Sequence, residues 1–190
     1  MNPISGIFLV LLLSQWSDQT HAKRALELST TSTDLIIQVC SRALQKDMCK
    51  NILESDPESK GADIHGLDKI ALKTALTNAT NINNQINQLL NKESDVSDPK
   101  VEQGLSDCSK NYQDAIDQLE DSLAAIDSKG YNDVNTWVTA AIADAESCEQ
   151  GFKDQKVKSP ITPMNTLFSQ LCNISLAITN VLVGASDPKQ

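Results

Sequence analysis

From about residue 63 to residue 184 the apolar side chains recur at alternating steps of three and four, and a chain patterned this way buries them together only as long helices lying side by side. Leu72, Ala75, Ala79, Ile82, Ile86 and Leu89 make the first stripe, on a helix expected over about 63–92. Its far side carries Asn78, Asn81, Asn84, Asn87 and Asn91, whose low helix propensity has to be offset by packing. Val101, Leu105, Cys108, Tyr112, Ala115, Leu119, Ser122 and Ile126 make the second stripe. Asp98 is its expected N-cap, Pro99 takes the first helical position, and the helix is expected to run to about Ser128 and stop before Gly130. Val134, Trp137, Ala141, Ala145, Cys148 and Phe152 mark a third helix, with Asn132 or Asp133 able to cap its start. Met164, Leu167, Leu171, Ile174, Ile178 and Val181 mark a fourth, opening at Thr162-Pro163 and ending at Gly184.

The polar connections at 94–98, 129–132 and 153–163 are short, so consecutive helices are antiparallel neighbours. The expected fold is all-α: an up-down-up-down four-helix bundle over about 63–184. Residues 34–40 and 47–53 read as a helical hairpin ahead of it, within about 33–55, and 54–61 as the loop into the bundle. Composition supports one such domain, because 190 residues at 40% apolar content fill a single core. With 4% aromatic residues, seven glycines and six prolines, strand and turn formers are both scarce, which disfavours a sandwich or barrel. A net charge of −9 has the wrong sign for gripping a phosphate backbone, so no nucleic-acid partner is expected.

Residues 1–22 read as a signal peptide. The apolar run at 4–13 suits its core, and Thr20 and Ala22 place small residues where a signal peptidase reads, giving cleavage after Ala22. No other stretch approaches membrane-spanning length on this reading, so 23–190 is expected to be a secreted domain without membrane contact. In an oxidising compartment five cysteines mean two disulfides and one left over. Cys40 and Cys49 lie nine apart, enough for two short helices to fold back on each other, and are paired. Cys108 and Cys148 fall on the stripes of two long helices, where a bridge staples neighbours across the core, and are paired as well. Cys172 remains as a free, buried thiol.

Candidate chemistry is thin. Beyond the signal segment there is one histidine, His65, beside Gly66 at the start of the first bundle helix, and it reads as a solvated helix-start residue. Asp114, Asp117, Glu120 and Asp121 form an acidic stretch on the second helix that reads as a solvated face. No close cysteine pair suggests zinc, no Glu-x-x-His pair suggests a di-metal bundle site, and no phosphate-cradling loop or nucleophile elbow is present, so no metal or cofactor is expected. Two sequons begin at Asn78 and Asn173; Asn173 projects off its stripe and is the better glycan candidate, whereas Asn78 borders its own. A secreted, stapled bundle without a reactive centre is a binding protein before it is a catalyst, since rigid helix faces lose little freedom on docking.

Specific stretches carry a resemblance. The layout of Cys40, eight residues, Cys49, then Cys108, Cys148 and a lone Cys172 is similar to that of the plant invertase and pectin methylesterase inhibitor family over nearly the whole of 23–190. The run Tyr131-Asn132-Asp133-Val134-Asn135-Thr136-Trp137-Val138-Thr139-Ala140-Ala141, followed by Cys148-Glu149-Gln150-Gly151-Phe152, is its most specific part. Ala62-Asp63-Ile64-His65-Gly66-Leu67 and Ile174-Ser175-Leu176-Ala177-Ile178 add to it. The resemblance implies a four-helix bundle with an N-terminal hairpin, the same two cysteine pairings, and no activity of its own. It implies a cell-wall (apoplast) protein, a monomer when free, that binds one target enzyme one-to-one: a pectin methylesterase, whose pectin cleft the bundle blocks, or an invertase, whose sucrose pocket it enters.

Invertase inhibitors of this family typically carry a Pro-Lys-Phe element near the start of the third bundle helix. This chain has Lys129-Gly130-Tyr131-Asn132 there, which favours the pectin methylesterase target, although some pollen-allergen members bear an invertase-inhibitor label without the tripeptide. The family mode implies an inhibitory face on the outer sides of the second and third bundle helices: Lys110, Asp114, Asp117 and Asp121 on one, Asn135, Thr136, Thr139 and Glu146 on the other. A secreted bundle that binds a receptor or an apolar ligand without inhibiting anything is the reading of a different class.

Overall fold

The structure is a computed structural model that describes residues 32–91 and 98–186. The expected signal peptide at 1–22 and most of the connection at 94–98 lie outside the described residues. Six α-helices follow in order: α1 (32–40), α2 (Lys46–Ser55), α3 (Ile64–Asn91), α4 (Pro99–Asp127), α5 (Tyr131–Asp154) and α6 (Thr162–Ser186). A 3₁₀ turn at Pro57–Ser59 links α2 to α3. No strand occurs among the described residues.

The long helices close into a ring, α3 against α4, α4 against α5, α5 against α6, and α6 back against α3. Helix starts follow local chemistry where the sequence supplies a cap. The Asp98 carboxylate accepts from the Lys100 amide at 2.9 Å with Pro99 at the first helical position, and Asp63 accepts from the Gly66 amide at 2.8 Å. Helix α5 departs from expectation: it begins at Tyr131 with Gly130 as N-cap and no side-chain cap, so neither Asn132 nor Asp133 caps it. Helix α4 ends at Asp127 with Ser128 as C-cap, before Gly130 as expected, and the left-handed residue that follows is Lys129, at φ 61°. The amides of Lys129 and Gly130 bond back to Ile126 and Ala125 at 3.1 and 2.9 Å, a closure that requires positive φ at Lys129. Helix α6 runs through Gly184 to Ser186.

The first two stripes are buried as read, except that Leu89 and Val101 are half-buried. On α5, Val138 takes the buried position and Trp137 is half-buried against the core. On α6 the buried residues are Asn165, Phe168, Leu171, Cys172, Ile174, Ser175, Ile178, Thr179 and Leu182, while Met164 and Val181 are half-buried and Leu167 is 38% exposed. The inward line takes in the polar Asn165, Ser175 and Thr179, so apolar spacing alone does not mark it. By length and composition 162–185 could even cross a membrane, contrary to the expectation that no stretch beyond the signal segment approaches that length. In the fold it is a core helix of the ring.

Two disulfides are present, Cys40–Cys49 closing the α1–α2 hairpin and Cys108–Cys148 joining α4 to α5, and Cys172 is a buried free thiol. The hairpin has its own small core. Ile36, Val39, Cys49 and Leu53 pack on Leu67, Ile70 and Ala71 of α3 and on Ile174 and Ile178 of α6.

Candidate functional site

The Cys108–Cys148 bridge sets the register of the antiparallel pair α4 and α5, whose outer sides carry the residues expected to form the inhibitory face. Lys110, Asp114, Asp117 and Asp121 are all exposed, and their steps of four, three and four hold them on one line turned away from the buried stripe. Lys110 pairs with Asp107 at 3.2 Å, and Gln113 donates to Asp117 at 3.0 Å. Thr136 and Thr139 are exposed on α5, with their hydroxyls donating to the carbonyls of Asn132 at 2.9 Å and Asn135 at 2.7 Å.

The other two α5 candidates turn toward α6. Asn135 is half-buried and donates through Nδ2 to Asn180 Oδ1 at 3.0 Å. Glu146 borders a polar groove shared with Thr162, Thr166 and Ser169 of α6. The eight residues therefore do not converge on one spot. The four on α4 and Thr136 lie on the outer surface of the α4–α5 pair, while Thr139, one turn after Asn135 and two before Glu146, shares with them the α5 strip on its α6 side.

Asp144 was not singled out from the sequence. It sits half-buried on α5, facing Asp114 and Gln118 of α4, with Oδ2 buried and unpartnered. Burial first, and then the Asp114 charge, push its carboxyl above the usual carboxylate range, against a lowering contact from Gln118. A position four before Cys148 places it on the edge of the α5 stripe, which was the available signal.

Behind this face a buried polar chain fixes α4, α5 and α6 to one another. Tyr112 on α4 donates to Asn165 Oδ1 at 2.6 Å, and Asn165 Nδ2 donates to Glu149 on α5. The Glu149 carboxylate also accepts from Ser159 and Thr162, each at 2.9 Å. Burial holds the Tyr112 hydroxyl and the Cys172 thiol well above their ordinary ranges, so neither serves as a nucleophile near neutral pH.

At the end of the bundle His65 is more than a solvated helix-start residue. Its Nε2 lies 3.8 Å from Asp127 Oδ1, its ring meets Tyr131 edge-on at 6.5 Å, and its Nδ1 is buried without a partner. Lys69 pairs with the same Asp127 at 2.6 Å, the first cause of a carboxyl held below its usual range. Among the described residues no group of three His, Cys, Asp or Glu side chains is placed to hold a metal. Of the two sequon asparagines, Asn173 is half-buried and donates to the Ser169 carbonyl at 2.7 Å, and Asn78 is half-buried with Oδ1 inside a groove bordered by Met48, Ile52 and Leu167. What the α4–α5 surface offers chemically is rigid, exposed, mostly acidic contact area.

Comparison with known proteins agrees with this architecture. A Platanus orientalis protein named "Putative invertase inhibitor" is 34% identical over 158 residues, covering 80% of this chain and 91% of its own. The pectinesterase inhibitor of Actinidia deliciosa is 29% identical over 183 residues, covering 96% and 94%. A crystal structure of a mutant form of an Arabidopsis pectin methylesterase inhibitor superposes with a TM-score of 0.63 at 24% identity, covering 75% of this chain and 93% of that one, and so shares the fold. Residues 34–178, hairpin and bundle together, match the family described as plant invertase/pectin methylesterase inhibitor, and the chain belongs to that family.

Proposed function

We propose that this chain is a secreted inhibitor that binds a plant cell-wall pectin methylesterase one-to-one and covers its substrate cleft with the outer surface of α4 and α5, catalysing no reaction itself. The observation that carries the choice of target is the α4–α5 turn. Where invertase inhibitors of the family typically carry Pro-Lys-Phe, this chain has Lys129 at φ 61°, Gly130 as the cap, and Tyr131 half-buried against His65. That corner has neither the proline nor the phenylalanine of the tripeptide. The Actinidia relative, named as a pectinesterase inhibitor and aligned over 96% of the chain, supports the same reading.

Inhibition of an invertase is the second reading, favoured by the name of the Platanus relative. Titrating the purified protein into a pectin methylesterase assay and a sucrose-hydrolysis assay at wall-like pH separates the two. The expected result is loss of methylesterase activity that ends at one inhibitor per enzyme, with a matching complex mass by light scattering and a monomer when free. Loss of sucrose cleavage alone would reverse the assignment.

A further inference from the structure

Asp68 is the only carboxylate-bearing side chain among the fully buried residues described, and no cation answers it. It lies on α3 facing α6, where Ser175 Oγ donates to Oδ1 at 2.7 Å and Thr179 Oγ1 stands 2.5 Å from Oδ2. The Thr179 oxygen is also 3.0 Å from the Ser175 carbonyl oxygen. A hydroxyl has one proton, so it cannot donate to a carboxylate and to a carbonyl at once. All the contacts become hydrogen bonds if the carboxyl supplies the missing proton: Asp68 Oδ2–H donates to Thr179 Oγ1, Thr179 donates to the Ser175 carbonyl, and Ser175 Oγ donates back to Asp68 Oδ1.

The surroundings favour the neutral form for the same reason. Lys69 on α3 is engaged by Asp127 of α4, His65 faces the same carboxylate, and Tyr131 of α5 lies edge-on to His65. From α6 come the two hydroxyls, and the hairpin brings Ile36, Val39 and Leu53 against the neighbours of Asp68 on α3. No charged side chain among the described residues acts on this carboxyl. We propose that the folded bundle carries Asp68 as the neutral acid, which makes it a proton-operated latch between α3 and α6, closed in acidic surroundings and loosened above neutrality. This holds whichever enzyme is the target.

Burial, opposed by the hydroxyls of Thr179 and Ser175, raises the Asp68 carboxyl from 3.8 to about 7. A carboxyl raised on folding binds its proton more tightly in the native state. Its contribution is therefore fully present below the unfolded value and is lost as pH rises to about 7.

The test is urea unfolding of the full secreted chain, wild type and Asp68→Asn, from about pH 5 to about pH 8. Asparagine keeps the ring of bonds, its amide donating to Thr179 and its oxygen accepting from Ser175. The wild-type midpoint is expected to fall across this range by more than that of the variant, so that the variant overtakes it at the alkaline end. Identical pH profiles would overturn the proposal. Should the variant not fold, carbon-13 NMR of the wild-type Asp68 carboxyl decides: titration near 7 supports the latch, and an ordinary carboxylate midpoint of about 4 overturns it.

Discussion

Gly104 lets α4 pack against a buried aromatic ring: a Cβ there would lie 2.6 Å from Cε1 of Phe152, itself 1% exposed. Gly104→Ala is therefore expected to destabilise the protein by about 1–3 kcal/mol through overpacking, despite the better helix propensity of alanine, as read from the urea midpoint. Tyr112→Phe should cost about 1–2 kcal/mol, because it leaves Asn165 Oδ1 buried without its donor. Asp144 tests the sign of a raised carboxyl on the surface side. The proton it holds in the fold is lost as pH rises, so Asp144→Asn is expected to raise the midpoint at neutral pH and to change it little near about pH 3, where both states are protonated. Cys108, Cys148 and Tyr112 were legible because each falls on a periodic stripe, and Cys40 and Cys49 from their close spacing, whereas Gly104, Asp144 and Asp68 take their roles from a neighbour on another helix that no local spacing names.

Helix identity was legible to within a few residues because the three-four alternation is a backbone property, and the cap at Asp98 is local chemistry. Two features escaped for physical reasons: the inward line of α6 takes in the polar Asn165, Ser175 and Thr179, so hydrophobic spacing alone does not mark it, and left-handed lysines at the ends of α4 and α5 carry no residue-type signal. Lys156 holds φ 58° while its amide and that of Val157 bond to Lys153 and Phe152, at 3.0 and 3.1 Å. Lys156→Gly should relieve that backbone and stabilise by about 0.5–1 kcal/mol, the gain limited by the greater freedom of glycine when unfolded. The disulfides differ in the chain they close. With separations of 9 and 40 residues, loop entropy assigns about 3 kcal/mol to Cys40–Cys49 and about 4 to Cys108–Cys148. Replacing Cys108 and Cys148 together by serine should therefore lower the melting point more than replacing the hairpin pair.

For the whole molecule, fold and family were readable from periodicity and cysteine layout, and the candidate face only in outline, because outward residues are set by the absence of a contact and polarity alone does not say which exposed side meets a partner. The structure divides that outline into an acidic α4 line and an α5 flank turned to α6, and this division makes the face testable. Asp117 and Asp121 are exposed, and among the described residues neither is held by a cation, so Asp117→Lys with Asp121→Lys should shift fold stability by no more than about 0.5 kcal/mol. If the α4 line meets the enzyme, the same pair of changes weakens inhibition by about tenfold or more, about 1.4 kcal/mol, with the loss smaller in high salt. Glu146→Lys on the α6 side is then nearly silent. The opposite outcome, inhibition lost with Glu146→Lys and kept by the α4 pair, would move the binding surface one helix round the bundle to the α5–α6 groove, because rigid helices at fixed register present only one of these two sides to a cleft at a time.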